Sequence, residues 1–204
     1  MNPLRVDKFY AALMKAIKES FAALKTKYAG QRIYGYALVV GDLMQYAMAA
    51  AHTEEALDNV AEKYVKQHGY KAKKGDPHPL LHDLLRYSVD DGWHHQTDPD
   101  PFEPANAMLE ECGDPYGPFY EDGGTRLAEE LFLAALHESY SRNVFGKDQS
   151  VTVMLYTGDD AEKDILRWVK RANPPEVYER FVKEGKAGNK AARLIDSGHG
   201  DDED

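Results

Sequence analysis

AMAAAHTEEALDNVAEKYVKQHG, residues 47–69, changes periodicity halfway along, and that change decides the fold. Up to Ala51 the residues are small and apolar. With the four residues before them they make a strand candidate over 43–51. Beyond Thr53, Leu57, Val60, Ala61, Tyr64, Val65 and His68 recur at three- and four-residue steps, which is one face of a helix. Glu55, Asp58, Glu62 and Lys66 take the other face, and Gly69 is a stop signal. The junction His52-Thr53-Glu54-Glu55 admits two readings. As a helix start, the Thr53 hydroxyl accepts from an orphan amide, and Glu54 and Glu55 suit the positive end of the helix dipole. Ala56 rather than a glutamate stands third in the helix, so the reciprocal capping box is absent. As chemistry, Glu55 would be a base beside His52, with Asp58 one turn on as a further metal ligand. No His-Glu-x-x-His pattern supports that alternative. Capping accounts for Thr53, Glu54 and Glu55 and leaves His52 unexplained.

Working outward, RIYGYALVV (32–40) is β-branched and aromatic, and Gly41-Asp42 supplies a turn, so it pairs with the 43–51 strand as an antiparallel hairpin. Before it, Leu4, Phe9, Leu13, Ile17, Phe21, Leu24 and Tyr28 mark an amphipathic helix over 4–28, ended by Gly30. After the opening stretch, residues 70–79 read as a basic, proline-containing loop. The segment 80–95 is ambiguous between helix and strand, with an extended stretch favoured over 84–89 and a turn at Asp90-Asp91-Gly92. Residues 96–124 hold five of the ten prolines and read as a surface connection with a short helix near 104–112. A buried helix over 125–146, a strand within 150–160 and helices over 161–172 and 175–185 follow. This order does not alternate as βαβ units do. It predicts a single α+β domain over 1–184, its mainly antiparallel sheet covered by helices, and a polar, acidic, disordered tail over 185–204.

Composition narrows the function. The 204 residues are 43 % hydrophobic, with 13 Tyr and 7 Phe, enough for a real core. No apolar run is long enough for a membrane span, and the N-terminal residues lack the continuous apolar stretch of a secretory leader. The one cysteine, Cys112, forms no internal disulfide and no cysteine-rich zinc site, which points to the cytoplasm. The net charge is −10, of which the last twenty residues supply only −2 from five acids and three bases. An acidic body opposes nucleic acid, whose phosphates need lysine and arginine, and suits a basic protein partner.

Other candidate constellations are weaker. His78 and His82, four apart near Asp76 and Asp83, would share a metal on a continuous helix, but Pro79 between them biases His78 away from helical geometry. Glu130 and His137 share a helix face, with Ala134 where a di-iron pattern needs glutamate. Cys112 has no evident basic neighbour, and Lys71, Lys73 and Lys74 form only a weak anion-binding candidate. No phosphate-binding glycine loop is present. Trp93, His94, Asp98 and Asp100, an aromatic beside a rigid acidic loop, have the composition of a partner-binding surface.

IYGYALVV, AAAHTEEAL, LLRYSVDDGWHH, VTVMLYTGDD and RANPP together resemble the bacterial family of domain of unknown function 4303, with His52 in place of an asparagine. The resemblance spans roughly residues 5–183 and implies no assigned activity and no site residues. Small acidic domains of this style are similar to immunity proteins, which neutralise a toxin domain. The expectation is therefore a bacterial cytoplasmic, non-catalytic protein-binding domain without cofactor, metal or membrane association, of immunity type against a basic toxin domain. The alternative is a small metal- or carboxylate-dependent enzyme drawing on His52/Glu55 and His78/His82.

Overall fold

The computed structural model describes residues 4–95, 99–114, 116–158 and 162–196. Helix α1 (Val6–Lys27) leads into β1 (Ile33–Val40), which turns into β2 (Ala47–Thr53), and β2 runs directly into α2 (Glu54–His68). Next come β3 (Lys71–Ala72), α3 (Pro77–Leu85), β4 (His94–His95), α4 (Glu103–Glu110) and a π-helical turn at Tyr120–Gly124. Then α5 (Thr125–Ser141), β5 (Thr152–Tyr156), α6 (Glu162–Ala172), α7 (Pro175–Ala192) and β6 (Ile195–Asp196) complete the order. The main sheet runs β4-β2-β1-β5, antiparallel except for the β1–β5 pair, and β3 pairs with β6 apart from it. The chain is thus one α+β domain with a mainly antiparallel sheet between helices, as the element order predicts.

The period of two sorts the strand residues onto the two faces. Tyr36, Leu38 and Val40 of β1, with Ala49 and Ala51 of β2, join Phe9, Leu13, Ile17, Phe132 and Leu136 from α1 and α5 in the larger core. Ala37 and Ala50 face the other way, against Trp93, Val169 and Phe181. An irregularity between Ile33 and Gly35 shifts the alternation. Ile33 therefore stays with the larger core, while Tyr34 crosses to the second face, among Leu57, Leu81 and Leu85 of α2 and α3. Gly35 is required there: a Cβ would come within 2.6 Å of the Trp93 ring.

Three expectations are corrected. The second strand begins at Ala47, because the chain turns through Met44 in a left-handed conformation, with φ 58°. The segment 77–85 is helix rather than loop and extended chain. Asp76 caps it by accepting from the His78 amide at 3.0 Å, Pro77 and Pro79 sit in the first turn where amides have no helical partner, and Leu81 and Leu85 bury one face. His78 and His82 therefore do share a helix. Finally, the tail expected from Gly185 does not start there. Helix α7 continues to Ala192 because Gly188 lets it close on the Asp83 carbonyl, where an added Cβ would stand 2.9 Å away. Residues 197–204 lie outside the described residues.

Candidate functional site

Every member of the His52–Glu55 junction meets a partner on a neighbouring element. Thr53 is the N-cap of α2: its Oγ1 accepts from the Ala56 amide at 3.1 Å and donates to Gln31 Oε1 at 2.7 Å. Glu55 accepts from the Arg32 amide at 3.0 Å, closing the start of β1 onto the start of α2. Glu54, with a side chain only 16 % exposed, is the hub. Arg86, just beyond α3, grips both its oxygens at 3.0–3.2 Å, and Arg32 Nη2 lies 2.9 Å from Oε1. A carboxylate held by two guanidinium groups is a structural ion pair rather than a free base.

His52 lies on the second sheet face and is fully buried. Tyr34 Oη stands 2.7 Å from His52 Nδ1 and 2.5 Å from the Arg86 carbonyl oxygen. A carbonyl only accepts, so the single phenolic proton points there and Nδ1–H donates to the phenol. That assigns the neutral Nδ1–H tautomer. Nε2 is left as a buried acceptor with no hydrogen-bond partner among the described residues, and the ring stacks on Trp93 at 5.5 Å. Burial, with smaller contributions from His94 and Arg86, lowers the His52 pKa to about 3. The imidazole stays uncharged near neutrality and is itself fully buried, so it is poorly placed to shuttle protons.

Glu54, Arg32, Arg86 and Tyr34 also border a cleft. Tyr34, Tyr87, Arg32, Arg86, Arg180, Ser150, Glu54 and Glu184 border a cavity of about 210 Å³. Glu184 accepts from Tyr87 Oη and lies 3.8 Å from Arg86 Nε, while the Arg86 guanidinium sits 4.5 Å over the Tyr34 ring. Burial raises the Tyr34 and Tyr87 phenols well above the ordinary tyrosine range, so both remain protonated donors.

The expected histidine pair sits beside this cleft. His82 Nε2 lies 3.5 Å from Asp58 and 3.6 Å from Glu54, and His78 Nε2 lies 3.3 Å from the Asp58 carbonyl. No hydrogen bond joins His52 to Glu55. Among the described residues no group of three or more His, Cys, Asp or Glu is placed to hold a metal ion. Glu130 pairs with Arg171, and the buried Cys112 thiol donates to the Met108 carbonyl while burial raises its pKa.

The expected partner surface is redrawn. Trp93 is only 5 % exposed and fills the second core, so it is a packing residue and not a surface anchor. Half-buried His94 stacks on Tyr28 at 3.9 Å, and burial lowers its pKa. Half-buried Asp100 accepts from the Phe102 amide at 2.9 Å, while Asp98 lies outside the described residues. The larger feature runs on from Asp100. Between residues 96 and 125 the chain has eight Asp and Glu and no Lys, Arg or His, so most of the net −10 resides there. Glu103, Glu110, Glu111, Asp114, Glu121 and Asp122 are exposed. Glu111 has a cation nearby, Arg5 at 3.6 Å. Tyr116, 82 % exposed, stands among them. Helix α4 is firmly seated: Phe102, Ala105 and Leu109 are buried in the larger core, and the Asn106 amide exchanges two hydrogen bonds with the Ala47 backbone at 2.8 and 2.9 Å.

Fold and site together define a mixed-sheet α+β domain with an ionic cleft at the β2–α2 junction and a separate acidic lobe. The model of the family described as a domain of unknown function, DUF4303, matches residues 13–174, and the chain belongs to that family. No curated protein and no solved structure matches it.

No local sequence pattern marks the tyrosines, arginines and Glu184 of the cleft. Glu54 and Arg86 are 32 residues apart, and no local pattern signals the pair. The acidity of 96–125 shows in the sequence at Asp98 and Asp100 and in the body's overall charge, while its extent along the segment is plain only when all eight acids are taken together.

Proposed function

We propose that this chain is a non-catalytic protein-binding domain whose acidic lobe receives a basic partner. The observation that supports it best is the run of eight carboxylates without a base over 96–125, six of them exposed, with the exposed Tyr116 between Asp114 and Glu121 in the chain. Exposed acids held on a firmly seated scaffold create a field that steers a basic surface and favours its register. An exposed tyrosine offers contact area at small entropic cost. Helix α1 and β2 hold α4, so little ordering free energy opposes association through the acids that it carries.

The narrower form of this proposal is an immunity-type factor of the bacterial cytoplasm, with a basic toxin domain as the partner. The acidic lobe supplies the charge complementarity that such a pairing uses. Nucleic acid is not a partner in this reading, because the lobe repels phosphates.

The test is co-expression with a toxin domain encoded beside this chain in its native genome. Wild-type protein should restore growth, and Glu110→Lys/Glu111→Lys/Asp114→Lys should restore it far less at equal folded abundance. Equal protection by both proteins would overturn the lobe as the contact surface. No protection, with no association at micromolar concentration, would overturn the immunity role.

A further inference from the structure

The ionic cleft carries a charge imbalance that the fold does not use. Three guanidinium groups, Arg32, Arg86 and Arg180, line the cavity against two carboxylates, Glu54 and Glu184. Glu54 is shared by Arg32 and Arg86. Glu184 gives one oxygen to Tyr87 and lies at long range, 3.8 Å, from Arg86. Arg180 is half-buried and, among the described residues, meets only neutral acceptors. Its Nη1 donates to the Gln149 carbonyl at 2.7 Å, and its Nη2 donates to the Ser150 carbonyl and Thr152 Oγ1 at 3.1 and 3.2 Å.

Those three bonds use three of the five donors of Arg180, leaving Nε–H and one Nη1–H unassigned. Arg86 likewise leaves Nε–H without a hydrogen bond, in a side chain 16 % exposed. A partly desolvated cation without a counter-charge is unfavourable unless an anion joins it. In a chain of net charge −10, this net positive cleft runs against the overall field.

We propose that the cavity bordered by Arg32, Arg86 and Arg180 binds a small oxyanion: a phosphate or carboxylate group on a compact molecule. Planar guanidinium groups match the paired oxygens of such an anion, with the unassigned N–H groups of Arg86 and Arg180 as its donors, while the Tyr34, Tyr87 and Ser150 hydroxyls at the cavity already donate to the Arg86 carbonyl, Glu184 and Asp148. Its volume of about 210 Å³ suits one such group with a short appendage and no large ligand. The site lies apart from the acidic lobe and does not depend on the role proposed for that lobe.

The experiment is a thermal melt of the full chain in inorganic phosphate, in acetate and in chloride at matched ionic strength and pH, with affinity read from the concentration dependence. Phosphate or acetate should raise the melting temperature above the chloride control, and the stronger of the two identifies the preferred headgroup. Arg180→Gln should weaken the effect at least tenfold. Because Arg180 also holds two carbonyls, Arg32→Ala is the second variant. Its side chain is 71 % exposed, so the fold should be kept while affinity falls several-fold. Glu184→Gln, which removes a negative charge from the cavity wall, should tighten binding. Equal melting in all three salts would overturn the proposal. So would an anion effect unchanged in both arginine variants.

Discussion

Replacing His52 with asparagine should flatten the acid limb of the stability curve. In the unfolded chain this imidazole protonates near its ordinary value of about 6.5, whereas in the native fold burial holds it down to about 3. Between those values the unfolded state binds more protons, so stability falls as pH falls, at up to about 1.4 kcal/mol per pH unit. The contribution is fully present above pH 6.5 and lost progressively on acidification. Integrated from pH 7.5 to 5.0, it is about 2 kcal/mol from this one side chain. His94, whose pKa is also lowered by burial, adds a contribution of the same sign. The informative quantity is therefore the difference between the wild type and His52→Asn. Asparagine keeps an N–H for Tyr34 but cannot titrate, and being smaller it lowers stability at every pH. Urea unfolding across this pH range should show the variant losing about 2 kcal/mol less than wild type between pH 7.5 and 5.0. Parallel curves for the two proteins would refute the assignment of a buried, neutral His52.

Other expectations follow from the same geometry. Glu54→Ala leaves Arg86 without its main counter-charge in a largely buried position and should cost about 3 kcal/mol in denaturant unfolding. Arg32→Ala removes an exposed partner of the same carboxylate and should cost less than about 1 kcal/mol, so equal losses would contradict Glu54 as a hub. Gly35→Ala places a methyl 2.6 Å from the Trp93 ring and should cost about 1–3 kcal/mol, with a change in tryptophan emission, whereas unchanged emission and stability would argue against that contact.

The elements that sequence reveals are those whose signals are local. Residues 47–69 show strand and helix periods back to back, with Thr53 and Gly69 standing at the cap positions of α2. Helix α3 was obscured because its first turn is His- and Pro-rich, and the Asp76 cap that makes this tolerable is a single side chain. The end of α7 was obscured because Gly185 and Gly188 look like stops, while Gly188 is in fact a close-packing position against Asp83. The ionic cleft was hidden for a different reason. Its members come from the start of β1, the start of α2, the end of α3 and the middle of α7, and only the tertiary fold brings Arg86 to Glu54 and Glu184. The role of His52 was hidden likewise, because it depends on an irregularity in β1 that turns Tyr34 to the second face.

Whether the acidic lobe is a binding surface is read most directly by calorimetric titration of the purified basic partner into wild type and into Glu110→Lys/Glu111→Lys/Asp114→Lys at two salt concentrations. At about 1 kcal/mol for each reversed contact, the variant should bind about a hundredfold more weakly. The wild-type affinity should also fall as salt rises. Equal affinity of the two proteins, or binding indifferent to salt, would contradict the lobe as the binding surface.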